Sequence, residues 1–170
     1  ADLGTQYTLD LLNRFQLQKD EFLEIFDYCK DKGIIPLCTP SDKVSLETLE
    51  RYGLPAYKIA SADFTNHDLL RALIHTGKPL LCSTGMSSET EVQQTISFLQ
   101  ERHAQFALLH CNSTYPTPIK DVNLEYMNHL REIGRCPVGY SGHERGINVS
   151  LAAVAKGAKV IEKHFTLNRN

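Results

Sequence analysis

Residues 56–83, AYKIASADFTNHDLLRALIHTGKPLLCS, contain one complete strand–helix–strand unit. The apolar runs at both ends, Ala56 to Ala60 and Pro79 to Cys82, have the length and composition of buried strands. Between them, Asp68 to His75 has a helical pattern, and Gly77 follows where a helix is expected to end. This unit predicts an α/β fold if the rest of the chain repeats it.

The same unit recurs along the chain. Apolar runs predict six strands: Ile34–Cys38, Ala56–Ala60, Pro79–Cys82, Phe106–His110, Pro137–Tyr140 and Lys159–Glu162. Helical patterns alternate with them at residues 19–32, 46–52, 68–75, 89–102, 124–133 and 148–156. Uniformly apolar strands are covered on both faces, and strands that alternate with helices pair in parallel. These properties leave two folds, a doubly wound sheet or a barrel.

The residues that follow the six runs separate these two folds. They are polar or reactive in every case: Thr39, Ser61, Ser83, Cys111, Ser141 and His164. A doubly wound sheet collects its ligand groups at one switch point, whereas a barrel uses nearly every strand end. No glycine-rich nucleotide motif follows any strand. We therefore predict a (β/α)8 TIM barrel, present as about six βα units, with its first two strands before residue 1.

Composition narrows the function. The chain has 170 residues, a formal net charge of -2 and a pI near 6.4, with no basic run at either end. We therefore expect no nucleic-acid partner and no membrane binding. Ala1 to Asp10 lacks the pattern of a signal peptide, so a cytoplasmic location is expected. The five cysteines form no Cys-x-x-Cys pair, and we interpret them as reduced core residues rather than nucleophiles or metal ligands.

Two histidines follow consecutive predicted strands. His143 lies in YSGHE and His164 in EKHFT, with Glu162 two residues before the second histidine. Neighbouring barrel strands would bring both imidazoles within reach of one divalent ion, such as Mn, Fe, Co or Zn, with open positions for water and substrate. The alternative for each histidine is a hydrogen-bonded structural role. The matching positions favour a metal site.

A lysine inside an apolar strand indicates an anion site. Lys58 would be costly to bury without a negatively charged partner. That partner is either a ligand or a carboxylate of the protein such as Asp63, since structural ion pairs also occupy strand ends. Hydroxyls and amides near the strand ends can complete a phosphate site: Ser61, Ser83, Thr84, Ser141, Gly85 and Gly142. Serines at such positions also serve as ordinary helix caps.

The most distinctive segment is LLHCNSTYPTP, residues 108–118. Its two prolines follow a buried strand and predict a rigid loop that holds Ser113 and Tyr115 over the mouth of the barrel. A purely structural turn would seldom need so many polar groups beside a strand.

Five segments resemble a known family: KIAS at 58–61, STGM at 83–86, HCNSTYPTP at 110–118, YSGH at 140–143 and EKHFT at 162–166. Over nearly the whole chain, in order and with compatible spacing, the sequence is similar to the sialic acid synthases. These enzymes use phosphoenolpyruvate to make N-acetylneuraminate and related nonulosonic acids. The resemblance also implies a homodimer of the complete protein and an antifreeze-like domain after residue 170, outside this chain.

The resemblance implies a role for each candidate residue. His143 and His164 would hold a divalent metal, with Mn as the first expectation and Mg or Co as alternatives. Residues that match ligands of the phosphoenolpyruvate phosphate and carboxylate are Thr39, Lys58, Ser61, Ser83, Ser113 and Ser141. Tyr115 would contact the sugar, and Glu162 would lie close to the metal. Asp63 stands where relatives carry glutamate, so it is a second catalytic candidate with a shorter arm.

The implied reaction joins phosphoenolpyruvate to an N-acetylated amino sugar, N-acetylmannosamine or a relative, and releases phosphate. Two enzyme alternatives use the same barrel, another 3-deoxy-sugar-acid synthase or an aldolase with Lys58 as Schiff-base nucleophile. A barrel that only binds a sugar acid is the non-catalytic alternative. The sequence leaves the acceptor sugar open.

Overall fold

The computed structural model of the chain describes residues 7, 9–10 and 13–167. The chain divides into two compact units, residues 1–36 and residues 37–170. In the described ranges, no helix is both long enough and apolar enough to cross a membrane.

The first unit contains helix α1, Lys19–Asp31. Gly33 follows it with φ 72°, the left-handed conformation predicted for a helix end. Both ends agree with the predicted helix to within one residue. Its predicted apolar face is only partly buried, because Phe26 is buried whereas Phe22 and Ile25 stay exposed to solvent.

The second unit is a parallel sheet flanked by helices. Its strands are β1 Tyr57–Ile59, β2 Leu80–Ser83, β3 Phe106–Cys111, β4 Val138–Gly142 and β5 Ile161–Lys163. Its helices are α2 Lys43–Tyr52, α3 His67–His75, α4 Glu89–Glu101, α5 Tyr126–Gly134 and α6 Asn148–Ala155, with short 3-10 helices at Ser61–Asp63 and Ile119–Asp121. Each strand pairs in parallel with the next, in the order β1-β2-β3-β4-β5. A doubly wound sheet would reverse this order at its switch point, so the uninterrupted order is that of a barrel wall.

The core lies between the sheet and the helices. On α4, Val92, Ile96 and Leu99 recur at helical spacing and are all buried. Leu80 of β2 and Leu108 of β3 are fully buried. Because all five strands run parallel, the loops that follow them lie at the same edge of the sheet, at the carboxyl ends of the strands.

The sheet curls strongly. Lys58 on β1 and Glu162 on β5 belong to the two outer strands, yet Lys58 Nζ lies 3.5 Å from Glu162 Oε2. In a flat sheet, four spacings of about 4.8 Å would separate these strands by about 19 Å, more than the two side chains can span. The described strands therefore form a curled partial barrel, which confirms the predicted fold class.

The first predicted strand, Ile34–Cys38, is reduced to a single contact. Cys38 forms an isolated parallel bridge with Tyr57, and Lys58 N–H donates to Cys38 O at 3.0 Å. Pro36 within this run has no N–H to donate, and the described residues place no strand on its other side. The prediction of a five-residue strand is therefore wrong in extent, although its last residue continues the sheet.

Candidate active site

The carboxyl ends of the strands surround a cavity of about 580 Å³. This is where parallel barrels carry their active sites, because the loops that follow the strands meet there. Most of the predicted site residues line it: Lys58, Ser61, Ser83, Ser113, Tyr115, Ser141, His143, Glu162 and His164. Thr39 and Asp63 are not among its lining residues. Their roles in substrate binding and catalysis stay predictions.

Lys58 supplies a positive charge to the wall of the cavity. Its side chain is only 13% exposed, and its Nζ donates to Ile59 O at 2.9 Å. The carboxylate that faces it is Glu162, at 3.5 Å, and not the alternative partner Asp63. Asp63 accepts instead from Asn66 Nδ2 at 3.3 Å. Since an ammonium has three hydrogens to donate, Lys58 can still serve a ligand.

The hydroxyls beside Lys58 are partly unused. Ser83 is 2% exposed, and its Oγ has no hydrogen-bond partner within the described part of the chain. Ser61 Oγ accepts from Gly85 N–H at 3.1 Å, and a Cβ at Gly85 would lie 2.9 Å from Ser113 Oγ. A Cβ there would also lie 2.8 Å from Cys111 O, so only glycine lets the backbone come this close to Ser113 and Cys111. By contrast, the Thr84 hydroxyl, another phosphate candidate, already donates to a backbone carbonyl of β3.

The two histidines lie side by side at the ends of β4 and β5. The strand register pairs Gly142 with Lys163, so one further step brings His143 opposite His164. Their ring centroids are 5.6 Å apart. Both Nε2 atoms approach the Tyr115 hydroxyl, at 2.7 Å from His143 and 3.4 Å from His164. The imidazoles therefore converge on one small region of the cavity.

The hydrogen bonds of His143 define its tautomer. Its Nδ1 lies 2.7 Å from the carbonyl oxygen of Asn112, which can only accept, so Nδ1 carries the hydrogen. In the neutral imidazole, Nε2 then keeps its lone pair and points at the convergence region. A backbone carbonyl that holds Nδ1–H is the usual support of a metal-binding histidine. The donor pair fits a divalent ion, but the described residues assemble no group of three or more His, Cys, Asp or Glu ligands.

Comparison with known proteins shows the family of this chain. A sequence model of the NeuB family matches residues 1–170. The chain belongs to the NeuB family. It is 39% identical to the N,N'-diacetyllegionaminic acid synthase of Campylobacter jejuni, over 95% of this chain and 49% of that protein. It is 34% identical to the N-acetylneuraminate-9-phosphate synthase of Homo sapiens, over 91% of this chain and 43% of that protein. The resemblance found in the sequence motifs is confirmed.

A solved structure shares the fold of this NeuB-family chain. The N-acetylneuraminic acid synthetase of Leptospira borgpetersenii, in complex with citrate, superposes with a TM-score of 0.93 at 35% identity. The match covers 99% of this chain and 59% of that structure. The chain thus spans about half the length of the relatives that it matches.

Sequence reasoning missed a buried network beside the histidines of this NeuB-family chain. The Glu144 side chain is 0% exposed and accepts from Lys163 Nζ at 2.9 Å and from Tyr140 OH at 2.7 Å. Burial by itself would raise the pKa of Glu144, but the hydrogen bonds from Lys163 and Tyr140 outweigh it and the pKa is lowered. The available signal was position, because Glu144 directly follows His143 and Lys163 directly precedes His164.

The cysteines differ in their burial. All five are free thiols, and Cys82 and Cys111 are buried in the strands. Burial raises the pKa of Cys82 to about 12, although the ammonium of Lys58 acts in the opposite direction. Such a thiol stays protonated at neutral pH and is a poor nucleophile. The prediction of core cysteines therefore holds for Cys82 and Cys111, whereas Cys29, Cys38 and Cys136 are only partly buried.

Proposed function

We propose that the complete protein containing this chain condenses phosphoenolpyruvate with an N-acetylated amino sugar, N-acetylmannosamine or a relative. The products would be a sialic-acid-type nonulosonic acid and phosphate. One observation carries the proposal: a single cavity of about 580 Å³ combines a largely buried ammonium, an unpartnered buried hydroxyl and two converging imidazoles. The names of the relatives, synthases of such acids, support the same reaction class.

The anion side of the cavity would hold phosphoenolpyruvate. Lys58 supplies the charge, and the Ser83 hydroxyl lacks the partner that a buried polar group needs. Ser61, Ser113 and Ser141 line the same wall and can donate to the remaining phosphate and carboxylate oxygens. Held at several points, the substrate would present its C3 carbon to the acceptor in a fixed orientation.

The histidine side would face the acceptor sugar. His143 and His164 would hold a divalent metal, Mn in the first place and Mg or Co as alternatives. When bound, that metal would polarise the aldehyde oxygen of the open-chain sugar as a Lewis acid. Tyr115 stands exposed at the mouth of the cavity, with its ring stacked on His143 at 3.9 Å between centroids, where it can contact the sugar.

The reaction then balances without a further reactant. The C2–C3 double bond of phosphoenolpyruvate supplies the electron pair for the new bond from C3 to the aldehyde carbon. The aldehyde C=O π bond breaks as the new bond forms, and its oxygen takes the electron pair and one proton to become a hydroxyl. Water adds to the cationic C2 carbon. The bond from C2 to the phosphate oxygen then breaks with its electron pair leaving on phosphate, which also takes the remaining C2 hydroxyl proton as the ketone forms. Glu162 lies beside Lys58 in the cavity wall and would take the proton of the attacking water.

The wider organisation belongs to the same proposal. Because the described strands form only part of a barrel wall, the remaining strands would come from other parts of the complete protein. We expect that protein to be a homodimer located in the cytoplasm. We also expect the 170-residue chain to be inactive by itself, because part of the site wall is missing.

The test is a phosphate-release assay of the complete protein over a panel of amino sugars, with Mn²⁺ present. We expect release only when phosphoenolpyruvate and an accepted sugar are both supplied, and mass spectrometry should then detect the nine-carbon acid. A Schiff-base aldolase would instead be trapped on Lys58 by borohydride with a keto acid. If the protein binds phosphoenolpyruvate but releases no phosphate with any acceptor, the proposed reaction is wrong and the non-catalytic alternative, a barrel that only binds a sugar acid, is favoured.

A further inference from the structure

The two histidines are each next to one member of a buried ion pair. Glu144 follows His143 after β4, and Lys163 precedes His164 at the end of β5. The Lys163 Nζ to Glu144 Oε1 distance is 2.9 Å. This ion pair therefore joins the two strand ends at the positions that carry the imidazoles.

All three hydrogens of the Lys163 ammonium have acceptors on the β4 side. Its Nζ lies 2.6 Å from Glu144 O, 2.9 Å from Glu144 Oε1 and 3.4 Å from Gly142 O. The two carbonyl groups belong to the residues on either side of His143. A fully used ammonium has little rotational freedom, so Lys163 fixes the backbone around His143 relative to β5.

The carboxylate of Glu144 is held as tightly as the ammonium. Tyr140, which is buried in β4, donates its hydroxyl to Glu144 Oε2 at 2.7 Å. A Cβ at Gly142 would lie 2.6 Å from the same Oε2 atom and 2.7 Å from Tyr140 Cε1. The chain after β4 thus folds back over its own backbone around the carboxylate.

The energy of the ion pair does not by itself explain its presence. Burial removes the Glu144 charge and most of the Lys163 side chain from water. Apolar residues of similar volume often stabilise a protein as well as a buried ion pair does. What an ion pair adds is direction, since its hydrogen bonds fix angles and distances. The feature that needs a fixed distance here is the spacing of His143 and His164, whose Nε2 atoms both approach Tyr115.

We propose that Glu144, Lys163 and Tyr140 form a positioning network that holds His143 and His164 at the spacing required to bind a divalent metal. The inference rests on the proposed function, because it assumes that these histidines bind the metal. None of the three network residues is assigned contact with the substrates. They act on the backbone on both sides of His143, and Lys163 directly precedes His164.

The chain contains a matched control for this network. Glu50 of α2 accepts from Tyr57 OH and from Lys78 Nζ, so the same three residue types meet there. Tyr57 begins β1 and Lys78 precedes β2, which places the second group toward the amino ends of the strands, away from the histidines. It has the same hydrogen-bond chemistry without the proposed positioning role.

The experiment compares the two networks in the complete protein. Calorimetry with Mn²⁺ alone gives the metal affinity, the visible spectrum with Co²⁺ reports coordination geometry, and urea unfolding gives stability. We expect Glu144→Gln and Tyr140→Phe to weaken Mn²⁺ binding by about tenfold, the lower end for loss of a group that supports metal ligands. Glu50→Gln and Tyr57→Phe should lower stability similarly and leave the affinity and the Co²⁺ spectrum unchanged.

The outcomes separate the two proposals. If wild-type protein binds Mn²⁺, His143→Ala abolishes this binding, and Glu144→Gln and Tyr140→Phe both bind as wild type does, the positioning role is wrong and the metal site stands. If Glu144→Gln does not fold, Tyr140→Phe decides alone, because it keeps the charge pair. If wild-type protein binds no Mn²⁺, the proposed metal site is wrong and the positioning role is overturned with it.

Discussion

At the scale of single residues, the cavity is recognisable by hydrogen-bonding capacity that the protein leaves unused. Ser83 Oγ is buried without a partner, and Lys58 Nζ uses only some of its hydrogens within the protein. Buried polar groups in folded proteins are nearly always paired, so such exceptions call for a ligand. Ser83 and Lys58 share one cavity, and both have hydrogens that they can donate to an anion.

Ser83→Ala should change binding and stability in opposite directions. The Ser83 hydroxyl has no partner among the residues that the structure describes, so its removal should leave the free energy of unfolding unchanged or raise it by up to about 1 kcal/mol. A hydrogen bond to a charged ligand would be lost, which should weaken phosphoenolpyruvate binding by about tenfold. Calorimetry and urea unfolding measure the two effects.

Ser150→Ala is the control for this prediction. Ser150 Oγ is also buried without a partner, but it lies on α6 and does not line the cavity. Its substitution should affect stability as Ser83→Ala does and leave phosphoenolpyruvate binding unchanged. Equal affinity of both variants would show that Ser83 does not contact the substrate.

Lys58→Met should weaken phosphoenolpyruvate binding much more than loss of one hydroxyl. The ammonium is largely buried, and its loss would remove the main positive charge that faces phosphoenolpyruvate. The carboxylate of Glu162 would then lack its partner and repel the anionic substrate. Loss of one partner in such a charge pair costs about 2–5 kcal/mol, so affinity should fall by at least about thirtyfold. Lys78→Met removes a comparable ion pair with Glu50 outside the cavity and should leave the affinity unchanged. A similar affinity for both variants would contradict the anion site.

At the scale of elements, the sequence correctly predicted the features that depend on neighbouring residues in the chain, such as the ends of helices. Helix ends were correct to within three residues, because glycines such as Gly33 and Gly53 adopt the left-handed conformation that ends a helix. The first predicted strand was longer than the observed one, because the length of a strand depends on its neighbouring strand, which the local sequence does not specify. The hydrogen bond from His143 Nδ1 to Asn112 O connects residues 31 positions apart, so no local sequence pattern predicts it. Lys163 was missed because its partner Glu144 lies 19 positions away in the sequence, and adjacency to a histidine alone does not indicate an ion pair.

Gly139→Ala tests whether the spacing of β4 and β5 controls the histidine pair. A Cβ at Gly139 would lie 2.4 Å from Val160 O, a backbone atom that cannot move without moving the neighbouring strand. We expect the variant to lose about 2 kcal/mol of stability through overpacking, and to bind Mn²⁺ more weakly because His143 and His164 separate. Urea unfolding and calorimetry in the complete protein measure both.

Gly134→Ala serves as the comparison for the strand spacing. A Cβ there would meet Leu108 Cδ1 at 2.7 Å and Cys136 Sγ at 3.0 Å, which are side-chain atoms. Gly134 ends α5, away from the histidines. The Gly134→Ala variant should have lower stability and unchanged Mn²⁺ affinity. If both glycine variants lose only stability, the strand spacing does not control metal binding.

At the scale of the whole molecule, the outer wall of the partial barrel carries an exposed apolar face. Ile147, Leu151 and Val154 on or beside α6 are 61%, 61% and 54% exposed. A contiguous apolar face of this kind usually marks an interface. Because the NeuB relatives are about twice as long as the aligned region, we attribute the missing cover to the strands and helices that close the barrel.

Leu151→Lys tests this closure in the complete protein. If the rest of the barrel covers α6, the variant places an unpaired ammonium in an apolar interface and should lower the free energy of unfolding by about 2–4 kcal/mol. Gln94→Lys on α4 is the control, since that helix already has α3 and α5 beside it and Gln94 is exposed. The control should stay within about 0.5 kcal/mol of wild type in urea unfolding. An equally small effect of Leu151→Lys would mean that α6 faces solvent in the complete protein, and the barrel would have to close elsewhere.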